Sequence, residues 1–170
     1  MKITHWQLFK DSLIHPKKLA AYRLLPIGKV IQYVLLLVSF VTIVSFIQFV
    51  TGIGLETSQI DGLKQFINDI KWLIYPFSFL FLFIISSFTL FVQISIYAFI
   101  GLGILKSQHK RGEFRHIWRT TAFVVTLSTI FTTLSVFFTI NNRLVSSISI
   151  VITAIYLVIA CSKYPNQPKK

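Results

Sequence analysis

Few side chains in this sequence are of a kind that does chemistry, and their spacing gathers few of them together. His109 and His116 stand seven residues apart, which is not the i, i+4 spacing of a helical metal pair, and no thiol is near them. Glu56, Asp61 and Asp69 could form an acidic site, but their spacing matches no calcium loop. Cys161 is the single cysteine, so neither a disulfide framework nor a cysteine zinc site can be built. It reads as a packed free thiol, with palmitoylation as the alternative. The sequence contains no glycine-rich phosphate loop, no HExxH and no GxSxG. The expectation is a non-enzymatic protein without metal or other cofactor.

The residues that recur in a pattern are hydroxyls. Thr121, Ser128, Thr132, Ser135 and Thr139 fall within roughly 60° of one another at 100° per helical residue. Ser146, Ser149 and Thr153 line one edge of the next apolar stretch, with Ala160 beyond them. Small residues and hydroxyls let helices approach closely and hydrogen-bond across the contact. The same stripe would also line a path for a solute. Packing is the simpler reading; the path supports a small passive transporter or channel as an alternative.

The elements that carry these residues follow from composition. The chain has 170 residues, 54% hydrophobic and 13% charged, whereas a soluble domain carries about a quarter charged residues. A water-soluble globule is therefore excluded, and so is a disordered chain, which needs low hydrophobicity. Stretches free of Asp, Glu, Lys and Arg run over 30–55, 72–105, 120–142 and 144–162. A bilayer core of about 30 Å needs about 20 apolar residues per crossing. The expectation is an all-α integral membrane protein with four transmembrane helices at 30–50, 72–105, 120–140 and 144–162. A single helix over 72–105 would be about 51 Å long and must tilt or run past the surface; a tight pair is the alternative. The first stretch, with 29 residues before it and no small-x-small site after it, reads as a retained anchor rather than a signal peptide.

Charge chooses between these. With one crossing over 72–105, the segments 1–29, 106–119 and 163–170 share a side and hold 14 of the 17 basic residues. The positive-inside rule makes that side cytoplasmic, with both termini there. Two crossings would translocate the basic loop 106–119. Lys17, Lys18, Arg23, Lys106, Lys110, Arg111, Arg115 and Arg119 are candidate contacts for anionic phospholipid headgroups, about 1 kcal/mol for each basic residue near the surface. The plainer reading is that they only set topology. Nothing suggests a basic face free of the bilayer, so nucleic acid is not expected.

Residues 1–29 read as an amphipathic interfacial segment. Thr4 can cap a helix with Trp6, Phe9 and Leu13 on one face. His15-Pro16 breaks it, and Pro16 starts a second short helix through Tyr22. Such a segment lies on the membrane surface or packs on the ends of the spans. The exterior segment 51–71 repeats Leu63, Phe66, Ile67 and Ile70 at helical spacing after an Asp61-Gly62 turn, predicting a short surface helix. Gln93 is expected to face protein rather than lipid.

Phe9, Ser12, Pro16-Lys17-Lys18, Arg23, Gly28-Lys29 and Tyr33 resemble the start of a family of small Gram-positive bacterial membrane proteins, the domain-of-unknown-function family 1189. Arg115, Trp118 and Arg119, then Thr126-Leu127, and finally Tyr156, Ala160 and Pro165 are similar to its later part. Some members carry the description of maltodextrin utilization proteins. The resemblance implies a multi-pass protein of the bacterial plasma membrane. This chain departs from it twice. Only 51–71 stands where the family commonly has a sizeable exterior domain, which removes support for an exterior ligand site. Ser128 replaces a proline after Thr-Leu, which implies a straighter third span.

Taken together, these features predict an accessory or regulatory partner of a transporter or cell-envelope system. Its expected partners are the lipid bilayer and another membrane protein or a second copy of itself.

Overall fold

The computed structural model describes residues 4–57, 63–138 and 141–167, with side chains outside 53–57 and 63–68. Among these residues the chain is helical without named strands. It forms α1 (His5–Ile14), a 3-10 segment (Pro16–Leu24), α2 (Ile27–Thr57), α3 (Leu63–Ser107), α4 (Phe114–Ser135), a 3-10 turn (Val136–Phe138) and α5 (Asn142–Ser162). Four helical stretches are long and apolar enough to cross a membrane: Ile27–Gly52, Asp69–Ser107, Phe114–Phe138 and Asn142–Ser162.

The elements differ from expectation in three places. The predicted surface helix at 63–70 is continuous with the membrane-spanning α3, a single 45-residue helix with Pro76 inside it. The predicted Asp61-Gly62 turn lies outside the described residues. The basic loop is shorter than 106–119, because Arg115, Trp118 and Arg119 already belong to α4. α4, by contrast, agrees with expectation: it runs unbroken from Phe114 to Ser135, through the Ser128 that replaces a proline. Finally, Thr4 stands at the α1 N-cap position with extended backbone but makes no side-chain cap bond.

α4 is the hub. It packs against α1, the first 3-10 segment, α2, α3 and α5. Seven consecutive residues, Thr120 to Thr126, are buried, and a helix buried on all sides must be surrounded by others. Phe123 sits at the centre, with the Tyr22 ring edge-on at 5.3 Å and the Tyr33 ring at 4.8 Å. Gly101 of α3 makes the closest approach: a Cβ there would lie 2.8 Å from Ile117 Cγ1 and 3.3 Å from Leu157 Cδ1. α3, α4 and α5 therefore meet where only a hydrogen fits, as expected where van der Waals packing joins membrane helices.

The N-terminal segment is two-sided, but its inner face differs from the predicted row. Leu8 and Ser12 are buried, Phe9 and Leu13 are half-buried at the edges, and Trp6 is 73% exposed. α1 packs along α4. The Tyr156 hydroxyl of α5 donates to the Leu13 carbonyl at 2.7 Å. That bond satisfies one of the carbonyls left open at a helix C-terminus.

Candidate functional site

The end of the bundle that gathers both terminal segments and the α3–α4 connection carries most of the described polar contacts. α3 stops in a left-handed cap. His109 has φ 52°, Lys110 N–H donates to the Leu105 carbonyl at 2.9 Å and His109 N–H to that of Lys106 at 3.2 Å. This is the Schellman arrangement, with histidine where glycine is usual. The tail then straps the connection. Arg111 N–H donates to the Pro165 carbonyl at 2.8 Å and Gln167 N–H to that of His109 at 3.0 Å. Lys110 Nζ donates to Asn166 Oδ1 at 2.7 Å. Gly112 lies beneath the strap, where a Cβ would come within 2.6 Å of Leu105 and 3.2 Å of the Tyr164 ring.

Tyr164 ties the strap to the hub. Its hydroxyl meets that of Thr120 at 2.6 Å, and both reach the His116 carbonyl, at 3.2 and 3.3 Å. The Arg23 guanidinium lies 4.9 Å from its ring centroid, a cation–π distance. Burial pushes the Tyr164 hydroxyl up to about 12, the Cys161 thiol adding to the rise and the Thr120 bond and Arg23 charge opposing it. Arg119 Nη1 donates to the Arg23 carbonyl at 3.2 Å.

A second knot surrounds Asp11. Its carboxylate accepts from the Tyr22 hydroxyl at 2.5 Å and Lys18 Nζ at 3.2 Å, with His15 Nδ1 at 3.2 Å. Partial burial pushes this carboxyl up, but the Tyr22 and Lys18 hydrogen bonds and the nearby cations outweigh it and hold it low. Burial and the Asp11 contact raise the Tyr22 hydroxyl.

The eight candidate headgroup contacts separate into distinct environments. Arg23 and Arg119 turn inward and hold elements together. Lys18, Lys110 and Arg115 are engaged with Asp11, Asn166 and Glu113. Lys17, Lys106 and Arg111 are exposed.

The hydroxyl stripe lies at a helix contact. Thr132 and Ser149 hydroxyls bond to each other across α4 and α5 at 2.6 Å. Thr121, Ser128, Ser135, Ser146 and Thr153 donate to carbonyls of their own helices, while Thr139 lies outside the described residues. Cys161 is buried with Sγ 3.8 Å from the Gly101 carbonyl. Asp69 is exposed, and neither Glu56 nor Asp61 has a described side chain. Among the described residues no group of three His, Cys, Asp or Glu is placed to hold a metal.

Sequence reasoning missed Asp11, Gly101, Gly112 and Tyr164 as organising residues. Only Asp11 carried a signal, being the sole carboxylate before residue 56.

Four apolar crossing helices joined by a strapped polar end define the class: a multi-pass α-helical membrane protein. The chain belongs to the family described as protein of unknown function (DUF1189), whose model matches residues 53–161. The match covers α3, α4 and nearly all of α5, and lies beyond the N-terminal residues in which part of the resemblance was seen. No curated protein and no solved structure matches the chain.

Proposed function

We propose that this protein is a non-enzymatic accessory or regulatory subunit of the bacterial plasma membrane, with its basic end and both termini cytoplasmic, that works by binding another membrane protein through α3. The observation that carries this is the uneven burial of the spans. Only 11% of the most apolar stretch of α3 is buried, against 39% in α2, 50% in α4 and 28% in α5. Phe77, Phe81, Phe88 and Phe99 stand out from it, each more than 60% exposed. A helix held along so little of its surface has a face free to receive another helix, and aromatic anchors suit such contacts. The reading of orientation rests on the sequence segments 1–29, 106–119 and 163–170, which hold 14 of the 17 basic residues. A transporter or envelope complex is the expected partner, with sugar uptake the first to test on the description some family members carry. Lys17, Lys106 and Arg111 then face anionic headgroups.

Photo-crosslinking side chains placed at Phe81, Phe88 and Ile148 in living cells test the reading. Discrete protein adducts at Phe81 and Phe88, and none at the α5 position, are expected. No protein adduct at either α3 position would overturn it.

A further inference from the structure

We propose that Arg23 and Arg119 form a binding site for a phosphoryl group. The two side chains are drawn to one corner, where the first 3-10 segment meets α4 and the chain leaving α5. Arg119 Nη1 donates to the Arg23 carbonyl at 3.2 Å. The Arg23 guanidinium lies 4.9 Å from the Tyr164 ring centroid, and the Tyr164 hydroxyl meets that of Thr120, the residue after Arg119, at 2.6 Å. Both arginines are half-buried. A guanidinium carries five N–H donors and no acceptor. Among the described residues, the bond to the Arg23 carbonyl is the only hydrogen bond that either guanidinium makes. Arg119 Nε is buried without an acceptor.

Charge decides what the corner lacks. Two like charges partly withdrawn from water need an anion close by, and the side chains supply none. Of the five side-chain carboxylates, Glu56, Asp61 and Asp69 stand between the first two apolar stretches, a span's length from Arg23. Asp11 is taken up by Tyr22, Lys18 and His15, and Glu113 by Arg115 at an exposed position. Paired planar forks suit the oxygens of a phosphate, which accept from two N–H groups at once. The level of the corner fits the same ligand. Arg119 directly precedes the charge-free run 120–142, and Arg23 stands four residues before α2 begins at Ile27. Both therefore lie at the ends of spans, the depth of a leaflet's headgroups. A lipid phosphate reaches that depth from the bilayer and a free phosphate from water. The inference depends neither on the α3 partner nor on which side of the membrane the basic end faces.

The test uses the full chain in an uncharged detergent. Melting is followed against inorganic phosphate at constant ionic strength and, separately, against phosphatidylglycerol, with chloride and diacylglycerol as the matched controls. A saturable rise in melting temperature with phosphate or phosphatidylglycerol is expected, and none with either control. A rise with phosphatidylglycerol alone makes the ligand a lipid headgroup; a rise with inorganic phosphate opens the site to free phosphorylated solutes. Arg23→Gln and Arg119→Gln each weaken the apparent affinity about tenfold or more, the change that ~1.5 kcal/mol for a hydrogen bond to a charged group makes. Arg23→Lys and Arg119→Lys keep the charge but not the fork, and weaken it too should the glutamine variants misfold. Lys106→Gln with Arg111→Gln removes two exposed cations and leaves the affinity unchanged. No saturable rise with either phosphate source, or unaltered affinity in the Arg23 and Arg119 variants, would overturn the proposal. So would an equal loss in the Lys106, Arg111 variant, which would make the effect one of diffuse charge.

Discussion

Replacing Gly101 by alanine probes the closest contact in the bundle. The new methyl would lie 2.8 Å from Ile117 Cγ1, 3.0 Å from its Cδ1 and 3.3 Å from Leu157 Cδ1. Ile117 and Leu157 are fully buried, so neither can swing away freely, and Cγ1 is too near its own backbone to yield cheaply. Overpacking of this kind costs about 1–3 kcal/mol. Alanine also gains about 1 kcal/mol of helix propensity over glycine, which would mask part of the loss. Gly103→Ala is the matched control, since a Cβ there meets nothing within 4 Å. The two variants share the propensity gain, and their difference isolates the clash at about 1–3 kcal/mol. At roughly 2–4 °C per kcal/mol for a chain of this size, Gly101→Ala is expected to melt about 2–12 °C below Gly103→Ala. The assay is built into the protein. Cys161 is the sole thiol and is buried against Gly101, so a thiol-reactive fluorophore reports unfolding in detergent on heating. Ile117→Ala removes a fully buried side chain and is costly by itself, so relief of the clash shows as coupling: Gly101→Ala is expected to cost less in an Ile117→Ala background than in wild type. A Gly101→Ala protein as stable as Gly103→Ala would refute the reasoning.

Other outcomes follow from the polar end. His109→Gly relieves a left-handed residue at the α3 cap and is expected to stabilise by about 1 kcal/mol, read as a higher melting temperature. Tyr156→Phe removes the bond to Leu13 and is expected to cost about 0.5–1.5 kcal/mol, with faster amide exchange over 5–14 and unchanged exchange in α4. The hydroxyl of Tyr164 is raised from 10.0 to about 12, so the folded state holds its proton more tightly than the unfolded one. Its contribution is complete below pH 10 and is lost as pH rises through 12. Melting curves between pH 9 and 12 should fall less steeply for Tyr164→Phe than for wild type; identical slopes would contradict the assignment.

The four long apolar helices were legible because bilayer thickness forces long uncharged runs, whereas the length of 72–105 left one helix or a tight pair open until it was seen within the single α3. The hydroxyl faces were legible because a helix repeats every 100°, so Thr132 and Ser149 could be expected on facing edges. What escaped was decided by atoms that leave no periodic trace. The strap at 165–167 rests in part on main-chain groups that any sequence supplies. Gly101 looks like Gly103 until Ile117 is brought against it. The α1 face was assigned from its aromatics, yet Leu8 and Ser12 turned inward and Trp6 outward. Tertiary anchors at Tyr22, Tyr33 and Tyr156 outweighed the local pattern.

Residue-by-residue sidedness tests the central claim most directly. In a Cys161→Ser background, single cysteines replace Lys71 and Arg143 at one end, and Lys106 and Lys163 at the other. A membrane-impermeant thiol reagent added to intact cells is expected to label the first two, and the second two only after permeabilisation. Labelling of Lys106→Cys from outside, or opposite behaviour of Lys106→Cys and Lys163→Cys, would contradict a four-crossing bundle with its basic end inside.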